Sequence, residues 1–264
     1  MYNKLKQSEN FFLLAGPCVI ESEAIMYRTA EELKRITEKF DIPFIFKASY
    51  KKANRTSLDS YTGVGLEEGL KILAKIKHDF QVAIVTDIHE TWEVKSVAEV
   101  ADIIQIPAFL SRQTDLLVES GKSGRIVNIK KAQFMAGEDI ITASEKVAST
   151  GNDKILLTER GTSFGYHNLV VDFRNFAIMS GAGYPVVYDV THSLQQPSIG
   201  KISGGNPEYV PMMAKAALAS GYVDGLFIET HPEPLSGLSD AKSMFQLSKM
   251  EQLITECVRL WNAR

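Results

Sequence analysis

Eight short apolar runs divide the chain, and amphipathic stretches separate them. The runs cover residues 11–18, 43–49, 82–88, 101–107, 125–131, 154–160, 185–192 and 225–231. Each is rich in Ile, Val, Leu or Phe and predicts a strand buried on both faces, as in a parallel sheet. Helical periodicity lies between them, for example over 23–40, 66–80, 92–100, 209–220 and 249–261. Clusters such as Gly151-Asn152-Asp153 and Gly181-Ala182-Gly183 mark the joins. Eight strands alternating with helices predict an α/β protein, a closed (β/α)8 TIM barrel, with a doubly wound open sheet as the alternative. No linker, repeat or low-complexity segment divides the chain, so residues 1–264 read as one domain with a short polar lead-in over 1–10. The longest irregular stretch, 193–208, is rich in Gly, Pro and Ser; a loop that long in a compact domain is usually functional.

Composition narrows the class. The 264 residues fit one α/β barrel, which needs about 250. The apolar fraction of 45% and charged fraction of 23% are those of a globular protein that buries a core without staples. A net charge of -3 with no basic stripe argues against a nucleic-acid partner. The two cysteines, Cys18 and Cys257, stand far apart, so no disulfide framework is expected and a reducing compartment is the default. The first ten residues lack the apolar core of a signal peptide, and no apolar run approaches the ~20 residues of a membrane span. A cytoplasmic protein with no membrane partner is expected.

Chemistry in such a barrel sits at the C-terminal ends of the strands, and all eight ends carry polar residues. They are Ala15-Gly16-Pro17-Cys18, Phe46-Lys47-Ala48-Ser49, Thr86-Asp87-Ile88-His89, Gln105-Ile106-Pro107, Asn128-Ile129-Lys130-Lys131, Thr158-Glu159-Arg160, Asp189-Val190-Thr191-His192 and Glu229-Thr230-His231. One or two would be ordinary caps or ion pairs; one at every strand marks an active-site face. Lys47, Lys52, Arg55, Arg112, Lys130, Lys131 and Arg160 supply cations for a substrate with more than one anionic group. Lys51 and Lys131 read equally well as solvated rim lysines. Cys18, His192, Glu229 and Asp240 offer S, N and O donors suited to Zn, Fe, Mn or Co, with His231 as a spare. By position alone, Cys18 reads also as a small buried hydrophobe and Asp240 as a helix N-cap. His78 reads as a surface residue and Cys257 as core.

The same strand ends resemble a known family. Ala15-Gly16-Pro17-Cys18-Val19-Ile20-Glu21-Ser22, Gln105-Ile106-Pro107-Ala108-Phe109-Leu110, Leu157-Thr158-Glu159-Arg160-Gly161-Thr162-Ser163-Phe164-Gly165-Tyr166 and Glu229-Thr230-His231-Pro232-Glu233-Pro234 are similar to motifs of the phosphoenolpyruvate-dependent 3-deoxy-sugar-acid phosphate synthases. Lys52-Ala53-Asn54-Arg55-Thr56-Ser57 resembles the octulosonate branch rather than the heptulosonate branch, where a Lys-Pro-Arg-Thr-Ser sequence is expected. Cys18 resembles the metal-dependent class, since metal-independent members are expected to carry Asn there. Residues 136–139 and 195–200 depart from the family's wording.

The resemblance implies a reaction. Phosphoenolpyruvate, D-arabinose 5-phosphate and water would give 3-deoxy-D-manno-octulosonate 8-phosphate and phosphate, a step toward lipopolysaccharide precursors. Lys47, Lys52, Gln105, Ala108, Lys130 and Arg160 would hold phosphoenolpyruvate. Asn54, Arg55, Thr56 and Ser57 would hold the aldose phosphate. Cys18, His192, Glu229 and Asp240 would bind the divalent metal, and Lys47, Asp87, His89, His192 and Asp240 would form the catalytic set. A homotetramer is implied. The rivals are heptulosonate phosphate synthesis from erythrose 4-phosphate, a non-catalytic sugar-phosphate binding barrel, and a scaffold protein.

Overall fold

The computed structural model describes residues 1–55, 57–196 and 204–264. Eight parallel strands close on themselves: β1 (Phe12–Gly16), β2 (Phe44–Lys47), β3 (Ala83–Asp87), β4 (Ile103–Ile106), β5 (Ile126–Lys130), β6 (Ile155–Glu159), β7 (Val186–Asp189) and β8 (Gly225–His231). Neighbours pair in sequence order, and β1 returns to β8 with Phe12 opposite Gly225 and Gly16 opposite Glu229. The open-sheet alternative therefore falls. A helix follows each strand: Glu23–Lys39, Leu66–Phe80, Glu93–Val100, Thr114–Lys122, Asp139–Ala148, Arg174–Ser180, Val210–Ala219 and Met250–Trp261.

The strands are apolar on both faces because each face meets a core. Outward residues such as Leu13, Phe46, Ile84, Ile104, Val127 and Leu157 pack under the helices. Inward residues Phe12, Leu14, Ile45, Val85, Ile103, Ile126, Leu156, Val187 and Phe227 fill the barrel. Side chains alternate along a strand, so each inward row continues upward two residues at a time. Ile45 leads to Lys47, Val85 to Asp87, Ile103 to Gln105, Val187 to Asp189, and Phe227 to Glu229. Ile126 leads through Asn128 to Lys130, and Leu156 through Thr158 to Arg160. The apolar interior thus turns polar toward the C-terminal end, and that change of lining makes the site.

Three expectations need adjustment. The lead-in carries a short helix, Tyr2–Lys6, whose Leu5 joins the interior cluster and whose Tyr2 hydroxyl donates to Ile155 O at 3.1 Å; it stoppers the N-terminal end of the barrel. The seventh run stops short as a strand. Asp189 accepts from the His192 N–H at 3.0 Å and caps a helical turn over Val190–Ser193. In the long loop after it, Gln195–Gln196 pairs antiparallel with Gly204–Gly205, while residues 197–203 and Thr56 lie outside the described residues.

Candidate active site

A cavity of about 270 Å³ opens at the C-terminal end of the barrel. Its lining includes Lys47, Lys52, Asn54, Arg55, Asp87, His89, Gln105, Ala108, Lys130, Arg160, His192, Glu229 and Asp240. Ser57 does not line it; its Oγ accepts instead from the Asp59 N–H at 3.4 Å. Arg112 and Lys131, counted among the rim cations by sequence, are also absent from the lining. Lys131 is wholly buried behind the barrel wall, so the solvated-rim reading fails for it.

Four cations converge on the floor. Lys47 is 1% exposed and donates to Glu229 Oε1 at 2.6 Å, Cys18 O at 3.1 Å and Ser49 Oγ at 3.2 Å. Lys52 Nζ stands 3.7 Å from the same Glu229 oxygen. Lys130 donates to Asp189 Oδ2 and lies 3.7 Å from the centroid of the Phe227 ring, a cation–π contact at the top of the apolar interior. Arg160 is 5% exposed; its Nη2 reaches Gln195 Oε1 at 3.5 Å, and its Nη1 is buried without a partner among the described residues. Burial pulls the Lys130 and Arg160 pKa values downward, against the opposing pull of Asp189. Cations kept in such surroundings are poised for an anion that neutralises them.

The buried carboxylates are shifted downward as well, which for them favours the charged form. Burial alone would raise Glu229, but His192, Lys47, Lys52 and Lys130 outweigh it and hold the carboxyl well below its ordinary range. Burial likewise works against Asp189, which His192 and Lys130 hold low. For Asp87 the balance is struck by the same opposing burial and by His89, Lys52 and Lys47, again with a low result. His89 sits between two carboxylates, 3.4 Å from Asp87 and 3.7 Å from Glu93. Burial would lower its pKa, yet these partners push it up to about 9, so the imidazole is protonated at neutral pH.

A second cluster adjoins the floor. The ligand atoms of Cys18, Glu229 and Asp240 all lie within 4.8 Å of one another. His192 Nε2 is 3.4 Å from Glu229 Oε2 and 3.9 Å from Asp240 Oδ2, while its Nδ1 is held by Asp189 at 2.7 Å. A carboxylate behind the imidazole is the usual partner of a metal-bound histidine. Burial first, then Asp240 and Glu229, push the Cys18 thiol well up. A buried thiol among carboxylates is a poor arrangement by itself and a good one around a divalent cation, so the donor set fits the metal. His231 is not a fifth donor: its Nδ1 accepts from the Glu233 N–H at 2.9 Å, and its Nε2 faces Glu21 at 3.8 Å.

Sequence reasoning missed several participants. Ser239 Oγ accepts from Cys18 Sγ at 3.1 Å and from Arg55 Nη1 at 2.8 Å, linking the donor cluster to the Asn54-Arg55 segment. Asn128 donates to Gln105 Oε1 at 3.2 Å and accepts from Thr158 Oγ1 at 2.6 Å, fixing the Gln105 amide. Gln133 and Gln195 also border the cavity. Strand parity would have found Asn128 and Thr158; the loop residues have no local signal.

A closed (β/α)8 barrel with buried cations and a thiol–imidazole–carboxylate cluster at its C-terminal mouth defines an enzyme of anionic substrates. The chain belongs to the DAHP synthetase I family, which it matches over residues 5–261. It is 51% identical over 245 residues to the 2-dehydro-3-deoxyphosphooctonate aldolase of Acidithiobacillus ferrooxidans, covering 92% of this chain and 87% of that one. It is 50% identical over 266 residues to the protein of the same name from Pisum sativum, covering 98% and 91%. With the one from Granulibacter bethesdensis it shares 53% over 245 residues, covering 92% and 86%.

Proposed function

We propose that this enzyme condenses phosphoenolpyruvate with D-arabinose 5-phosphate and water to give 3-deoxy-D-manno-octulosonate 8-phosphate and phosphate. The observation that carries the reading is the set of cations around one cavity, Lys47, Lys130 and Arg160 buried and Lys52 partly buried. The name shared by relatives at about half identity over most of the chain supports it.

In this reading Lys47, Lys130 and Arg160, with the Gln105 amide and the Ala108 backbone, hold the carboxylate and phosphate of phosphoenolpyruvate. Asn54 and Arg55 hold the aldose phosphate and its hydroxyls. C3 of the enol attacks the aldehyde carbon, water adds at C2, and the C2–O bond to phosphate breaks. Holding both substrates in near-attack geometry supplies several kcal/mol of the barrier reduction. The protonated His89, oriented by Asp87 and Glu93, supplies a proton to the alkoxide that forms at the former aldehyde. A divalent ion such as Zn, Fe, Mn or Co, held by Cys18, His192, Glu229 and Asp240, supplies Lewis-acid polarisation and substrate orientation when bound. The reading includes a cytoplasmic homotetramer that feeds lipopolysaccharide precursor synthesis.

The test is phosphate release with each aldose phosphate in turn. Arabinose 5-phosphate should be preferred strongly, by roughly 10⁴-fold where the Asn54 amide pairs with a hydroxyl that the shorter sugar lacks. Equal or faster turnover with erythrose 4-phosphate moves the enzyme to heptulosonate synthesis. Binding of both substrates without phosphate release makes the barrel a binding protein.

A further inference from the structure

Strands β5 and β6 end in adjacent residues that point to opposite sides of the barrel wall. Lys130 and Arg160 face the cavity; Lys131 and Glu159, their immediate neighbours, face outward by the alternation of the strands. Both outward residues are wholly buried, with Lys131 Nζ 3.4 Å from Glu159 Oε1. The ends are in register: Lys130 stands opposite Thr158, and the Lys131 N–H donates to Thr158 O at 2.8 Å.

The pair reaches both loops that follow. Lys131 Nζ donates to the Met135 carbonyl at 3.1 Å and Thr162 Oγ1 at 3.0 Å. Glu159 accepts from the Gly161 N–H at 2.6 Å and from Asn175 Nδ2 at 2.8 Å. Its carboxylate therefore folds around Arg160 and grips the backbone just beyond it. Gly161 has φ +90°, a left-handed conformation that glycine adopts without a steric cost, and it sets the direction of the chain at that point. The two loops are also joined directly, Ser163 N–H to Gln133 O at 2.9 Å. The assembly presents two buried polar atoms without partners among the described residues, Gln133 Oε1 and Arg160 Nη1, on residues that line the cavity.

A buried ion pair is weak as a stabilising device, since apolar side chains of similar volume often serve as well or better. Apolar residues cannot, however, direct hydrogen bonds to three groups on two loops and to Asn175 on the helix that follows. We infer that Lys131 and Glu159 are positioning residues of the phosphoenolpyruvate subsite: they touch neither substrate and act by fixing Lys130 and Arg160 from behind. The inference rests on the reading of that subsite given above.

The experiment compares Lys131→Met, Glu159→Gln and the double variant with Lys131→Arg, measuring KM for each substrate, kcat and thermal midpoint. Loss of the pair should raise KM for phosphoenolpyruvate about tenfold or more, because ångström-scale misplacement of a binding group weakens it to that extent. KM for arabinose 5-phosphate should stay within about twofold, and Lys131→Arg should recover most of the loss. If folded variants keep the wild-type KM for phosphoenolpyruvate, or if both KM values rise alike, the inference is overturned while the functional reading stands. If the wild type itself releases no phosphate from the two substrates, the functional reading falls and takes the inference with it. Should the single variants not fold, the uncharged double variant decides; its failure to fold as well would make the pair a stability element and overturn the inference.

Discussion

Arg160 is buried, yet among the described residues no carboxylate lies within ion-pair distance of it; Glu159 is engaged by Lys131 and Asp172 by Arg174. A guanidinium in that position serves a ligand better than it serves the fold. Arg160→Ala should remove a charge-assisted contact worth about 1.5–3 kcal/mol. KM for phosphoenolpyruvate should then rise by about ten- to a hundredfold with the thermal midpoint unchanged or higher. An unchanged KM with a lowered midpoint would make the residue structural. His89 gives a prediction in pH. Its pKa is raised to about 9 in the folded protein, above an unfolded value of about 6.5. Its contribution to stability is therefore fully present below about pH 6.5 and is lost as pH rises through 9. Glu93 is its counterpart: burial opposes ionisation, but His89 and the backbone N–H groups of His89 and Glu90 hold it at about 2, so its share is lost only as pH falls toward 2. The difference in melting temperature between wild type and His89→Asn should shrink between pH 6.5 and 9.5. A difference that stays constant across that window would show that His89 is not protonated in the folded state.

At the scale of elements, the closure of β1 on β8 has one tight point. A Cβ on Gly225 would lie 2.3 Å from the Phe12 ring, and that ring is an interior residue of the barrel. Gly225→Ala should destabilise by about 1–3 kcal/mol through overpacking, lowering the melting temperature by a few degrees for each kcal/mol. A variant that melts like wild type would mean that Phe12 has room to rotate away. The strands were legible as apolar runs because both of their faces are covered. That same continuity concealed which residue of each run points inward, and so Lys131 looked like a rim cation. The seventh run overran because Val190 and Thr191 continue a strand-like composition, while the cap that ends the strand is made by the Asp189 side chain. Lys47, Gln105, Lys130, Arg160 and Glu229 could be placed at the site because charge or amide in an apolar run stands out. Ser239, Gln133 and Gln195 could not, since each sits in an ordinary polar loop that only the closed barrel brings to the donor cluster, for Ser239, or to the cavity, for the two glutamines.

The donor cluster is a property of the whole molecule. Cys18 follows the first strand and Asp240 the last, and their side chains meet at 3.3 Å across 222 residues of chain. Unfolded, the four donors are scattered, so a metal that binds them binds the native state alone and stabilises it by mass action, by about 2.7 kcal/mol at a hundred times its Kd. We expect chelation to lower the melting temperature and abolish turnover, and Zn, Mn or Co to restore both to differing extents, because geometry rather than raw affinity sets activity. The thiol that burial and its carboxylate neighbours keep protonated must lose its proton to become a ligand, so metal affinity should weaken as pH falls. Cys18→Ser should cut metal content at unchanged fold. Cys18→Asn is sharper: the amide keeps a polar group beside Asp240, and the variant should retain part of its turnover while chelator no longer affects either activity or melting. If wild-type protein shown by elemental analysis to be metal-free turns over at full rate and melts where the metal-loaded protein does, Cys18 is a packing residue and the cluster holds no working metal.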